Sequence, residues 1–81
     1  MEHSLQSLVD HIVRSLVDEP DAVDVQDAAD DIGSVIEVRV AQPDLGKVIG
    51  KRGNTARAIR TVLSAAAAKT RQRAVLNILE D

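Results

Sequence analysis

The chain contains no phenylalanine, tyrosine, tryptophan or cysteine among its 81 residues. Because cysteine is missing, neither a disulfide framework nor a cysteine-based zinc site can support the fold. Because aromatic residues are missing, the core must consist of leucine, isoleucine, valine and alanine, and apolar residues account for 44% of the chain. A chain of this length has room for one domain with a modest core. We therefore expect a single domain spanning residues 1–81.

Long hydrophobic runs and targeting segments are also missing. No apolar run approaches the roughly 18 residues that a membrane-spanning helix requires. Residues 1–4 lack the basic start, followed by an apolar stretch, that marks a secretion signal. These absences predict a soluble, cytoplasmic protein.

Charge is distributed unevenly along the chain, although the net charge is only −3. Residues 1–44 contain eleven acidic and two basic residues, whereas residues 45–79 contain eight basic residues and no acidic residue. Such segregation predicts one face that attracts polyanions and another that repels them. The alternative is that the two halves neutralise each other within the fold.

Hydrophobic periodicity predicts a helix and two strands in the first half of the chain. Apolar residues recur at three- and four-residue spacing from Leu5 to about Asp18, and Ser4 can cap the start of this helix. Alternating apolar and polar residues predict strands over residues 22–28 and 34–41. The turn-forming residues at 30–33 predict that the two strands form an antiparallel hairpin.

The second half of the chain predicts two helices and a final strand. A short helix over residues 45–49 follows Asp44, whose negative charge suits the positive end of a helix. A longer helix covers residues 54–70, with Asn54 or Thr55 as its cap. A short apolar run at residues 73–79, rich in β-branched side chains, predicts a well-buried strand.

The order helix, strand, strand, helix, helix, strand predicts an α+β fold, in which helices pack on one face of a three-stranded sheet. No linker or internal repeat separates these elements. The opposite face of the sheet needs polar or small side chains, and Asp24, Glu37 and Arg39 are available for it.

The loop Gly50-Lys51-Arg52-Gly53, called the GXXG loop below, combines three features that favour a phosphate backbone. Its glycines permit unusual backbone angles and the close approach of a ligand. The helix that follows directs unpaired amides and a partial positive charge towards the loop. Lys51 and Arg52 add two cations at the same place. Val48 and Ile49, just before the loop, can form an apolar floor for bases together with Ile59 in the following helix.

Further basic and polar residues flank this loop. One side of the long helix predicted at residues 54–70 carries Asn54, Arg57 and Arg60 at three-residue spacing. We predict that these residues contact the nucleic-acid backbone. Lys47, before the loop, is a further candidate. The alternative for each of these residues is an ordinary solvated surface position.

The run Val48-Ile49-Gly50-Lys51-Arg52-Gly53 resembles the signature of KH domains, in which a GXXG loop clamps about four nucleotides by their backbone. The order of elements is similar to the type II KH arrangement, and the whole chain resembles the small bacterial single-domain proteins of the KhpA family. The resemblance implies binding of single-stranded RNA, as an RNA chaperone or post-transcriptional regulator. It also implies a homodimer, or pairing with a larger KH- and R3H-containing protein of the KhpB or Jag type.

An alanine-rich segment of the long helix predicted at residues 54–70 offers a place for such an interface. Ala66 and Ala67 continue the apolar stripe of the helix, whereas Ala58, Ala65 and Ala68 lie beside it and could admit close packing of a second chain. The high helix propensity of alanine explains the same residues without any interface.

Other functions remain open on the residues alone. A protein-interaction adaptor would use the acidic first half, and single-stranded DNA could replace RNA because the loop contacts do not require a 2′-hydroxyl. No nucleophile–base pair or carboxylate pair is recognisable, so we expect no enzyme. His3 and His11 do not share metal-ligand spacing with acidic residues, and the acids at 18–31 lack the calcium-loop pattern. We therefore expect no metal or other cofactor.

Overall fold

A computed structural model describes residues 4–31 and 33–80. His3, Ile32 within the predicted turn, and the ends of the expected domain at residues 1–3 and 81 lie outside the described residues. The described elements follow the predicted order: α1 Leu5–Leu16, β1 Asp24–Asp27, β2 Ser34–Arg39, α2 Leu45–Ile49, α3 Asn54–Lys69 and β3 Ala74–Ile78. None of the helices in these ranges is long and apolar enough to cross a membrane.

α1 begins as predicted, because Ser4 accepts a hydrogen bond from the amide of Ser7 at 3.0 Å. The helix ends at Leu16, two residues earlier than the pattern predicts, since the backbone is already extended at Val17. A short 3₁₀ turn at Pro20–Ala22 follows, and it also shortens β1 relative to the predicted strand at 22–28.

The sheet has the order β1-β2-β3, so β2 is its central strand. β1 pairs with β2 in antiparallel orientation, which confirms the predicted hairpin. β3 pairs with β2 in parallel orientation and is an edge strand. The prediction of a well-buried final strand was therefore wrong, because only Leu76 of β3 is buried. Val75, on the other side of β3, is 60% exposed.

The core lies between the helices and one face of the sheet, and it is built from aliphatic side chains of every helix and strand. Each such side chain contributes about 1.5–3 kcal/mol when fully buried. The buried members of the core cluster are Val9, Val13, Val23, Val25, Ile36, Val38, Val48, Ile59, Leu63 and Leu76. The other face of the sheet carries Asp24, Glu37 and Arg39, as predicted. Glu37 and Arg39 alternate with the buried residues of β2, and Asp24 of β1 lies opposite Arg39.

α3 ends at Lys69, one residue earlier than predicted, in a Schellman motif. The amide of Gln72 donates to the carbonyl of Ala67 at 2.9 Å, and the amide of Arg71 donates to the carbonyl of Ala68 at 3.1 Å. Arg71 adopts a φ of 56°, the left-handed conformation that this motif requires. The last carbonyls of α3 are thereby satisfied before the chain enters β3.

Candidate nucleic-acid interface

The GXXG loop carries the chain from α2 into α3 with three of its four residues at positive φ. These are Gly50 at 78°, Arg52 at 59° and Gly53 at 75°. The amide of Gly50 closes α2 on the carbonyl of Gly46 at 2.8 Å, and the amide of Gly53 donates to the carbonyl of Gly50 at 3.0 Å. Glycine adopts such angles freely. Arg52 does not, so its backbone conformation costs about 1–2 kcal/mol.

The start of α3 leaves its first amides facing the loop. Gly53 occupies the N-cap position in a left-handed conformation, and no described side chain caps the helix. The prediction that Asn54 or Thr55 caps α3 was therefore wrong: Asn54 is already helical and is exposed as the first residue of the helix. Uncapped amides at the start of a helix of this length are ready to bind an anion.

Four cations near this helix start have no carboxylate partner in the part of the chain that the structure describes. Lys51 and Arg52 are exposed in the loop, and Arg57 and Arg60 are exposed in the first two turns of α3. Asp10 pairs with Arg14, and Asp18 and Asp44 pair with Lys47, whereas no described carboxylate pairs with any of these four residues. The basic segment around the loop is thus not neutralised by the acidic half in the part of the chain that the structure describes.

The two apolar residues before the loop have different environments. Val48 is 0% exposed and belongs to the core, so it presents no surface to a base. Ile49 is half-buried and keeps some exposed surface beside the loop. Ile59 is also buried in the core. Of the predicted apolar floor, only Ile49 offers surface to a ligand.

Lys47, the remaining predicted contact residue, is engaged by two carboxylates. Its ammonium pairs with Asp18 and lies 3.4 Å from Oδ1 of Asp44. These contacts, chiefly the hydrogen bond to Asp18, raise the pKa of Lys47 above its ordinary value despite partial desolvation. A phosphate would therefore have to compete with both carboxylates for this ammonium.

Asp44 does not act at the positive end of α2 in the way the sequence suggests. Its carboxylate makes no capping hydrogen bond within α2. It accepts instead from the backbone amides of Asp18 at 3.2 Å and Glu19 at 3.0 Å. Burial alone would raise the pKa of Asp44, but the hydrogen bonds from these amides and from Lys47 outweigh it and lower the pKa. The sequence marks Asp44 only by its place before α2, and nothing in it indicates that its partners are the amides of Asp18 and Glu19.

A cleft of about 650 Å³ lies between α1 and the C-terminal end of α3, away from the loop. It is lined by serine, histidine and aspartate side chains, which are the residue types of a nucleophilic site. However, Ser34 hydrogen-bonds to Asp27 and Ser4 caps α1, and no described hydrogen bond joins His11 to Ser4, Ser7 or Ser34. The described residues also contain no group of three or more histidine, aspartate and glutamate side chains that could hold a metal ion.

Comparison with known proteins gives consistent matches over most of the chain. The family described as KhpA/KhpB, KH domain, matches residues 6–78. The RNA-binding protein KhpA of Borreliella burgdorferi is 49% identical over 73 residues, which cover 90% of this chain and 89% of the relative. The protein of the same name from Clostridium acetobutylicum is 45% identical over 75 residues, covering 93% and 100%. That of Streptomyces coelicolor is 51% identical over 61 residues, covering 75% and 77%. No significant match was found among solved structures.

Proposed function

Because this chain belongs to the KhpA family of KH-domain proteins, we propose that it binds single-stranded RNA with its GXXG loop on the phosphate backbone. One observation carries this function. The exposed cations Lys51, Arg52, Arg57 and Arg60, none of them paired with a described carboxylate, surround the uncapped start of α3.

The loop would act mainly on the backbone of the RNA. The amides at the start of α3 and the cations of Lys51 and Arg52 attract phosphates, while Arg57 and Arg60, with Asn54, continue the contact along α3. Ile49 would lie against a base or sugar beside the loop. Because the chain has no aromatic residue, it lacks the stacking that contributes about 1–3 kcal/mol per base in other single-strand binders. We therefore expect one copy to bind weakly and with little sequence preference.

The proposal extends to the role of the chain. We infer one KH domain over residues 1–81 that carries out no catalysis and works in the cytoplasm, as an RNA chaperone or post-transcriptional regulator. The names of the relatives support the RNA-binding part of this inference. Backbone-directed contacts of limited sequence preference suit a protein that must act on many RNA molecules.

We further propose that the chain forms a homodimer through the outer face of α3. Ala58, Ala65 and Ala68 are exposed on this helix, and the neighbouring Val62 is 46% exposed, so the surface is apolar and low in profile. Two linked copies would strengthen a weak interaction with RNA through their effective concentration. The same face is our candidate for pairing with a larger protein of the KhpB or Jag type.

The direct test reverses the charges of the loop. In the double variant Lys51→Asp, Arg52→Asp, binding of a short unstructured RNA should be lost in a gel-shift assay, because two carboxylates beside the helix start repel phosphates. Far-UV circular dichroism should be unchanged, since both side chains are exposed. The matched control is Arg71→Asp, Arg73→Asp, which changes the net charge equally at the far end of α3 and should retain most of the binding.

The same experiment distinguishes the alternatives. Unchanged RNA binding by the folded loop variant would contradict the proposal. A matched DNA oligonucleotide that binds as tightly as the RNA would identify a general single-strand binder. A protein complex that survives both nuclease treatment and the loop substitutions would identify an adaptor.

A further inference from the structure

Asp44 is the buried charged residue of the described chain, with an exposure of 1%. It lies immediately before α2, but its hydrogen bonds go to the segment that follows α1. Lys47, one turn further along, pairs with Asp18 of that same segment. All described hydrogen bonds between residues 17–19 and the start of α2 therefore end on Asp44 or Lys47.

α2 needs such an attachment because it is too short to hold its own orientation. It has five residues, and a helix of this length is not stable by itself. Val48 is its one buried side chain, and the C-terminal end of α2 packs against the first turn of α3, where Gly50 lies against Thr55. The Asp44 hydrogen bonds attach the other end of α2, at its start. The GXXG loop begins directly after α2, so the direction of α2 also sets the direction of the loop.

We propose that Asp44 is a positioning residue for RNA binding: by tying the start of α2 to the amides of Asp18 and Glu19, it holds the GXXG loop in its binding orientation. Lys47 acts with it by pairing with the carboxylates of Asp18 and Asp44, and so contributes through α2 and not through a phosphate contact. This inference rests on the proposed function of the loop, and its test is designed to fail separately from the test of that function.

The first test compares Asp44→Asn with Asp21→Asn, which changes an exposed acidic residue of the segment that follows α1. Removing a negative charge ordinarily strengthens the binding of a polyanion. Asp21→Asn should therefore bind RNA equally or more tightly than the unmodified protein. Asp44→Asn should bind about tenfold more weakly, because hydrogen bonds to a charged group contribute on the order of that factor. Dissociation constants are measured by fluorescence anisotropy and corrected for the folded fraction from circular dichroism.

A structural readout accompanies the affinities. The amide resonances of Gly50 and Gly53 should shift in Asp44→Asn, since the loop is reoriented, and should stay in place in Asp21→Asn. If Asp44→Asn binds as tightly as Asp21→Asn, the positioning role is overturned while the function of the loop stands. If the loop variant at Lys51 and Arg52 keeps its affinity, the proposed function itself fails.

Lys47→Gln decides the matter even if Asp44→Asn does not fold, because the Lys47 side chain is 45% exposed. A positioning role predicts weaker binding with an unchanged dependence on salt. A phosphate contact predicts a slope of log K against log salt that is shallower by about 0.7. A shallower slope, or unchanged affinity, would overturn the proposal.

Discussion

Gly50 packs so closely against Thr55 that a β-carbon at position 50 would overlap the threonine side chain. This contact brings the end of α2 against the first turn of α3. Gly53 is different, since a β-carbon there would meet no atom within 4 Å. Both residues have positive φ, so the two glycines of the loop share a conformational requirement but only Gly50 has a steric one.

We expect Gly50→Ala to destabilise the fold more than Gly53→Ala. The change at Gly53 should cost about 1–2 kcal/mol, the price of a left-handed non-glycine residue, whereas the change at Gly50 adds the displacement of α3. Urea unfolding followed by far-UV circular dichroism measures both, because the chain has no aromatic residue for fluorescence. Equal losses of stability would show that α3 accommodates the β-carbon without moving.

Gly46 presents the opposite case, because it weakens α2 without any packing reason. It lies exposed within the helix, and a β-carbon at this position would meet nothing within 4 Å. Gly46→Ala should stabilise the protein by up to about 1 kcal/mol. We expect the same variant to bind RNA more weakly, because the bare backbone of α2 beside the loop lets the ligand approach closely. Greater stability with unchanged affinity would place the RNA away from this side of α2.

The elements of the fold could be predicted because each is encoded by its own stretch of sequence. The periodicity from Leu5 onward and the alternation in residues 34–41 both report which side faces the core. The position of β3 at the edge of the sheet could not be predicted, because a short apolar run such as residues 73–79 is compatible with a central strand and with an edge strand. That distinction depends on which strand the others pair with.

The candidate site divides in the same way. The GXXG loop was visible because its glycines, its cations and the following helix are contiguous in sequence. The role of Asp44 was not visible, because its hydrogen-bond partners lie 26 and 25 residues earlier in the chain. The burial of Val48 was hidden for a related reason: the sequence does not say which of two adjacent apolar residues faces the core.

Asp44 should also give the stability of the protein a specific dependence on pH. Its pKa in the folded state is lowered from the ordinary value of 3.8, because the hydrogen bonds to its carboxylate outweigh the effect of burial. A carboxyl group whose pKa is lowered in the folded state stabilises the fold when the pH is above the ordinary pKa. This contribution is lost as the pH falls through the lowered pKa. The stability difference between the unmodified protein and Asp44→Asn should therefore be constant near neutral pH and shrink below pH 3.8.

Urea unfolding at a series of pH values measures this difference. Asp21→Asn is the control, since Asp21 is exposed and has no described hydrogen bond to its carboxylate. A difference between the unmodified protein and Asp44→Asn that persists unchanged into strong acid would show that Asp44 stabilises the fold by packing and not as a carboxylate.

The proposed dimer can be tested on the outer face of α3. Ala65→Glu and Ala68→Glu each place a charge in the apolar surface, and burying an unpaired charge is unfavourable. Sedimentation equilibrium at micromolar concentration should show a dimer for the unmodified protein and an 8.7 kDa monomer for both variants. Gln26→Glu, at an exposed position of β1 outside this face, should remain dimeric. A dimer that persists in both alanine variants would place the interface elsewhere.

The dependence of RNA binding on salt tests the row of cations along α3. If Lys51, Arg52 and one or both of Arg57 and Arg60 meet phosphates, the slope of log K against log salt should be roughly −2 to −3, at about −0.7 per contact. Arg57→Gln or Arg60→Gln should make the slope shallower by about 0.7 and weaken binding to all sequences alike, because phosphate contacts carry no base information. Arg71→Gln, at the far end of α3, should change neither quantity beyond a small long-range effect. A flat response of the unmodified protein would mean that the exposed cations around the loop do not contact phosphate, and that the unpaired charge of this segment has another purpose.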